Sequence, residues 1–271
     1  MKISVVIPVF NERQTIAEVL RRIAEVDLNK EVVVVDDGST DGTRDVLQSS
    51  DDVITLVFHE TNAGKGAAIR TALSYVTGDV VIVQDADLEY SPLEYPALLE
   101  PILQGHADVV YGSRFLGGPH RVLFFWHSVG NYVLTFLSNM LSDVNLTDME
   151  TGFKVFRTSV LKQINLQSDR FGFEPEITAK VARLRCRLYE VPISYHGRDY
   201  AAGKKITWRD GLAALYHIAK FNLVGTQTSK KVVPHRVVRR PVAVPVPPEG
   251  AADCGLECPR PRSGQGRSVV G

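Results

Sequence analysis

The sequence predicts an α/β fold: a Rossmann-like, mostly parallel sheet flanked by helices on both faces. Three observations carry this expectation. From Ile3 to Tyr111, short β-branched runs alternate with amphipathic stretches. The runs are apolar almost without interruption, as strands covered on both sides must be. Between run and helix lie turns rich in Gly, Asp or Asn. In layers of this kind ligands bind beyond the carboxyl ends of the strands, so the chemistry is expected there.

The strand runs are ISVVIPV, EVVVVDD, VITLVFH, DVVIVQD and ADVVYGS. Between the first two, Ile16, Val19, Leu20, Ile23 and Val26 recur at helical spacing, and Ala67 to Val76 and Leu93 to Leu103 form further helices. After Arg114 the texture changes. Val122 to Leu141 has no charged residue but is interrupted by His127, Ser128, Gly130, Asn131, Thr135, Ser138 and Asn139, which suits an interfacial or buried helix better than a spanning one. A second amphipathic helix, Ile206 to Leu223, puts Trp208, Leu212, Leu215, Tyr216, Ala219 and Leu223 on one stripe, a pattern that serves core packing or a membrane interface. Residues 224–271 are basic and rich in Pro and Gly with no helical or alternating period, and are expected to be disordered.

A chain of 271 residues that is 44% hydrophobic can bury one sizeable core. Lys+Arg and Asp+Glu both number 31, so there is no overall basic field, and nucleic acid is not an expected partner. Cys186, Cys254 and Cys258 are odd in number and lack zinc-ligand spacing. Met1 and Lys2 run directly into the first strand without the series of segments a secretory leader needs. Together these point to a reducing, cytoplasmic setting.

Acidic and small polar residues collect where strands end. VIPVFNE offers Pro8, Phe10, Asn11 and Glu12, and VVVVDDGSTDGT offers Asp36 and Asp37. Ser39 or Asp41 can cap the following helix, but capping does not explain two adjacent carboxylates at a sheet edge. Such carboxylates can accept hydrogen bonds from a ribose or a base. In VVIVQDADLEY, Asp85, Asp87 and Glu89 are spaced by two, so with continued strand geometry their oxygens converge on one cation. Hard oxygen ligands select Mg2+ or Mn2+. Between them, HETNAGKGAAIRTAL opens a helix with Lys65 near a ligand bound at these strand ends, although neither GxxxxGK[ST] nor GxGxxG spacing is present.

Taken in order, VIPVFNE, VVVVDDGSTDGT, NAGKGAAIRTA, QDADLEY and YGSRF resemble the family-2 glycosyltransferases of GT-A fold, in particular dolichyl-phosphate mannose synthases and bacterial polyprenyl-phosphate hexose synthases. The resemblance spans 1–223 and implies a nucleotide-sugar-binding half, 1–114, and an acceptor half, 115–223. It implies that Pro8, Phe10 (more often Tyr in the family), Glu12 and Asp36 or Asp37 surround the nucleotide. It also implies that Asp85 and Asp87 form the DxD site, with Asp87 the main metal ligand and Glu89 beside it where relatives carry Gln. Arg114 matches an arginine aimed at the acceptor phosphate. TDMETGFKVFR, with Asp148 and Glu150, corresponds to the acidic acceptor-side motif, and YHGRDYAAGKKITW, with Arg198, Lys204 and Lys205, to a basic loop near phosphates. For Glu174 and Glu176 the competing reading is ordinary helix N-terminal acidity.

The implied reaction is transfer of mannose or glucose, from GDP-mannose or UDP-glucose, to a polyprenyl phosphate with inversion. The implied setting is peripheral, at the cytoplasmic face of a membrane, with room for a membrane-subunit partner. A phosphate acceptor with a second pKa near ~6 needs little general-base help, whereas a hydroxyl of a surface polysaccharide, the alternative acceptor, would make Asp148 or Glu150 indispensable. A receiver-like signalling module would use the VVVVDD strand end but leaves the DxD, GSRF and Arg198–Lys205 segments unexplained.

Overall fold

The structure, a computed structural model, describes residues 1–50, 53–117, 119–122, 124–198, 208–224 and 235–239. All of these fall within one compact unit, Met1–Pro241. In chain order the elements are β1 (Ile3–Val9), α1 (Ile16–Glu25), β2 (Lys30–Asp36), α2 (Thr43–Ser49), β3 (Thr55–His59), α3 (Lys65–Ala72), β4 (Val80–Val83), α4 (Tyr95–Leu103, after a 3-10 turn at Pro92–Glu94), β5 (Val109–Ser113) and α5 (Phe125–Ser142). There follow β6 (Lys154–Arg157), α6 (Thr158–Leu161), α7 (Phe173–Arg183), β7 (Leu188–Pro192), α8 (Trp208–Leu223) and β8 (His235–Arg239).

The strand order is β7-β5-β6-β4-β1-β2-β3-β8. All five expected runs are strands, and β1 to β4 pair in parallel. The later part of the chain adds what periodicity did not foretell: β6 enters antiparallel between β4 and β5, and β7 pairs in parallel with β5 at the edge. Residues from beyond 114 thus complete the sheet begun by those before it.

Alternation along the strands explains their continuous apolarity. On β1, β2 and β4, Val5, Ile7, Val34 and Ile82 join one core cluster, which α1 covers with Ile16, Val19, Leu20 and Ile23 and α4 with Leu98, Leu99 and Ile102. Their neighbours Val6, Val33, Val35, Val81 and Val83 join a second cluster, closed by Ala68, Ile69 and Ala72 of α3, Phe173, Ile177 and Val181 of α7, and Ile218 of α8. Two buried faces keep the central strand positions from water, as a doubly covered sheet requires, while the edge strand β7 leaves Tyr189 exposed.

One feature departs from sequence expectation, and two more show which face of a helix is buried. Of the stretch expected to be disordered, His235–Arg239 forms β8, antiparallel to β3 with His59 opposite His235. HRVVR carries two β-branched residues, and the outer edge of β3 presents the backbone groups an added strand needs. On α8, the buried residues are Ala214, Ile218 and Phe221, while Leu212, Tyr216 and Leu223 of the expected stripe are exposed. On α5, Thr135 and Ser138 are buried, and Phe125, Trp126, Tyr132, Val133, Phe136 and Met140 face outward.

Candidate active site

Strand register brings the expected residues to one edge. Val9 is paired with Asp36, so the turns after β1 and β2 leave the sheet side by side. Lys154 is opposite both Val83 and Tyr111, which places the segments around 85–90 and 148–153 and Arg114 together. Ser113 is opposite Pro192, which delivers Tyr195 and Arg198. Lys65 and Glu174 come from the first turns of α3 and α7.

At the ends of β1 and β2, Pro8 and Phe10 are half-buried. Asn11 adopts the left-handed conformation, φ 52°, which Asn tolerates better than most residues. Its N–H donates to Ser39 Oγ at 2.9 Å and its Oδ1 accepts from the Thr40 N–H at 2.8 Å, which locks the two turns together. The adjacent aspartates divide their work. Asp37 Oδ1 accepts from the Ala63 N–H at 2.9 Å and meets His59 Nδ1 at 2.7 Å, while Oδ2 accepts from the Gly64 N–H at 2.6 Å. Asp37 therefore holds the turn that enters α3. Asp36 Oδ2 pairs with Arg44 Nε at 2.5 Å, and its Oδ1 is buried with no hydrogen-bond partner. Of the two, Asp36 retains an acceptor.

Of Asp85, Asp87 and Glu89, expected to converge on one cation, Asp87 and Glu89 lie together against Arg198, and Asp85 does not join them. β4 ends at Val83, so the alternation of strand side chains stops before Asp85. Asp85 turns to Lys65 Nζ at 2.8 Å, and Lys65 also holds Glu174 Oε1 at 2.9 Å. Asp87 and Glu89 meet on Arg198. Its Nη2 donates to Asp87 Oδ2 at 2.7 Å, its backbone N–H to Glu89 Oε1 at 2.8 Å, and Nη1 and Nη2 reach Glu12 Oε1, each at 3.2 Å. Arg198, expected with Arg114 at the acceptor, thus sits on carboxylates of the nucleotide side. Burial, then the charges of Asp85 and Glu89, push the Asp87 carboxyl up to about 7 against the opposing pull of Arg198. Among the described residues no three His, Cys, Asp or Glu side chains form a ready metal cage. The donor set is nonetheless of hard carboxylate oxygens carrying more negative charge than Arg198 offsets, which fits Mg2+ or Mn2+.

On the other side, Arg114 makes a bidentate pair with Asp148, Nε to Oδ2 at 2.6 Å and Nη2 to Oδ1 at 2.7 Å, and Nη2 also reaches Asn131 Oδ1 on α5 at 3.2 Å. Burial works against the Arg114 charge, but the facing Asp148 overcomes it and holds the pKa well above its ordinary value. Glu150 Oε1 is buried without a hydrogen-bond partner. Burial and then the nearby Glu174 charge raise its carboxyl pKa. Lys154 is fully buried, donates to the carbonyls of Met149 and Thr151, and lies 4.5 Å from the Tyr111 ring centroid, so it braces the segment carrying Asp148 and Glu150.

Sequence reasoning missed the aromatic bridge between the two sides. Tyr195 donates from its hydroxyl to Glu89 Oε2 at 3.0 Å while its ring lies 5.2 Å from the Arg114 guanidinium. Its position three residues before Arg198 in YHGR was the available signal. Tyr90, also unforeseen, accepts the Gly152 N–H at 3.1 Å. Glu176 is structural: it accepts the N–H groups of Gln167 and Ser168 at 2.7 and 2.6 Å and pairs with Lys180. Lys204 and Lys205 lie outside the described residues.

The chain is 30% identical over 222 residues to an undecaprenyl-phosphate mannosyltransferase of Micrococcus luteus, covering 75% of this chain and 87% of the relative. It is 25% identical over 212 residues to a dodecaprenyl-phosphate galacturonate synthase of Rhizobium johnstonii, covering 75% and 62% respectively. Among solved structures, a glucosyl-3-phosphoglycerate synthase of Mycobacterium tuberculosis in complex with Mn2+, uridine diphosphate and glucosyl-3-phosphoglycerate superposes with a TM-score of 0.65 at 20% identity, covering 89% of this chain and 87% of that one. That likeness shows a common fold, the GT-A fold. The sequence profile described as Glycosyl transferase family 2 matches residues 4–164, more than half of the chain. With strand-end carboxylates and a shared fold behind that match, the chain belongs to glycosyl transferase family 2.

Proposed function

We propose that this glycosyltransferase moves a hexose, mannose or glucose, from a nucleoside diphosphate donor to a polyprenyl phosphate at the cytoplasmic face of a membrane. The observation that carries the reading is the position of Arg114. Its guanidinium is bonded to Asn131 on α5, and the outward side of that helix presents Trp126, Tyr132, Phe136 and Met140 to solvent. A lipid phosphate needs this juxtaposition, a fixed cation for its head and an apolar surface beside it. The relatives named for undecaprenyl and dodecaprenyl phosphate support it. Among the described residues no helix is long and apolar enough to cross a membrane. The exposed faces of α5 and α8 are the surfaces that would rest on one, alone or with a membrane subunit.

In this reading, Asp36, Glu12, Pro8, Phe10 and Asn11 receive the nucleotide. Asp87 and Glu89 hold a divalent ion, which when bound offsets the charge of the leaving diphosphate. Lys65 keeps Asp85 oriented. Arg114, steadied by Asp148 and stacked near Tyr195, orients the acceptor oxygen for in-line attack at the anomeric carbon, a contribution of positioning. The bond to the acceptor oxygen forms as the bond to diphosphate breaks, with inversion.

Glu150 favours a second reading. A buried carboxyl with a raised pKa and an unpartnered oxygen is suited to general-base work, which a polysaccharide hydroxyl requires and a phosphate does not. Transfer from radiolabelled GDP-mannose and, separately, UDP-glucose into extractable lipid, with a short polyprenyl phosphate and Mn2+ present or chelated, separates the readings. Metal-dependent lipid label that persists in Glu150→Gln supports the lipid phosphate. Absence of lipid label from both donors, with donor hydrolysis intact, sinks it.

A further inference from the structure

We infer that Arg198 is the resident counter-ion of the nucleotide-side carboxylates, and that it yields to a divalent ion when a diphosphate offers it new oxygens, so that metal and donor bind as a coupled pair. This rests on the donor-site reading above and adds the exchange of partners within it.

The geometry makes Arg198 and a metal ion exclusive. Its Nη2 lies 2.7 Å from Asp87 Oδ2, its Nε lies 3.4 Å from Glu89 Oε1, and Nη1 bridges both oxygens of Glu12 at 3.2 Å. An ion ligated by those Asp87 and Glu89 oxygens at roughly 2.0–2.6 Å would stand in the volume of the guanidinium itself. The charges point the same way. Three acids, Glu12, Asp87 and Glu89, share the single positive charge of Arg198, so a divalent ion compensates them better. The ion arriving alone, however, must strip Arg198 from three carboxylates and leave it without an equivalent partner.

A diphosphate removes that obstacle. The planar fork of an arginine binds phosphate oxygens in the bidentate manner it uses for carboxylates, so the displaced Arg198 keeps its hydrogen bonds by moving from protein to donor. Its placement permits the move. It lies six residues beyond the end of β7 and its side chain is 21% exposed, outside both apolar clusters. The carboxylates it leaves are on shorter stems and remain anchored, Glu12 by Thr15 and Glu89 by Tyr195. Because each ligand removes a cost of binding the other, the coupling is reciprocal.

The test is calorimetric titration of the full chain with Mn2+, alone and with GDP or UDP, for wild type, Arg198→Gln, Arg198→Lys and Asp87→Asn. In wild type, the nucleotide should strengthen Mn2+ binding about tenfold; Arg198→Gln should bind Mn2+ alone about tenfold more tightly than wild type and gain little from nucleotide. Arg198→Lys, whose point charge cannot span Glu12 and Glu89 together, should lie between them and serves if Arg198→Gln fails to fold. Wild-type Mn2+ affinity in folded Arg198→Gln, or in Arg198→Lys if that variant is the one that folds, overturns the inference while leaving the donor site standing. No Mn2+ binding by wild type with either nucleotide overturns both.

Discussion

Gly152 shows how little freedom the carboxylates have. A Cβ at this position would overlap Asp85 Oδ2 and press on the Tyr90 ring, so the residue is glycine to let Asp85 approach the backbone. Gly152→Ala should leave the circular dichroism spectrum intact and lower kcat/KM for transfer by about 100-fold, the scale of loss expected when a side chain that lines the site is displaced by about 1 Å. Asp148 lies at the same scale. It is fully buried and pairs with Arg114 through both oxygens, so Asp148→Ala strands a cation and should cost about 3 kcal/mol in urea-induced unfolding as well as activity. By contrast Asp87→Ala leaves Arg198 still paired with Glu12 and Glu89, and should abolish transfer at any metal concentration with little loss of stability.

The elements of the later part of the chain owe their positions to ion pairs as much as to periodicity. Asp108, at the start of β5, pairs with Arg187 at 2.7 Å and with Arg157 at 3.5 Å, joining the approaches to β5, β6 and β7. Hydrogen bonds from Arg187 outweigh burial and hold the Asp108 carboxyl down to about 2. A depressed carboxylate pKa stabilises the fold above the unfolded value near ~4, and that contribution fades as pH falls toward about 2. Asp108→Asn should therefore lose about 1 kcal/mol of unfolding free energy at neutral pH, after allowance for the partial exposure of the pair, and the difference from wild type should vanish near about pH 2. Denaturant titrations at several pH values check this. The strands β6 and β7 themselves were not legible in sequence, because KVFR and LYEVP are too short to display a period and are specified by the neighbours they pair with.

For the molecule as a whole, the outward faces of α5 and α8 are, in the proposed reading, the surfaces that meet a membrane. Tyr132 and Phe136 stack with centroids 6.5 Å apart on the exposed side of α5, and Trp126 and Phe125 extend that face toward the N-terminal end of the helix. Trp126→Ser with Phe136→Ser should weaken sedimentation with anionic phospholipid vesicles by about tenfold while the melting temperature changes little, since these rings bury no core surface. Unchanged vesicle binding would count against the membrane surface. By itself the sequence determined the layered α/β fold, because unbroken β-branched runs alternating with helical stripes have one economical arrangement, and it determined which strand ends carry acid, because those residues cannot be explained by burial. What only the tertiary structure decided is the pairing of charges. That Asp37 serves a turn while Asp36 keeps an acceptor, that Asp85 faces Lys65, and that Arg198 lies with Glu12 across 186 positions of sequence follow from register between distant strands and from where β4 stops. Side-chain partners separated by that much chain leave no local pattern, since only the packed sheet brings them within hydrogen-bonding distance.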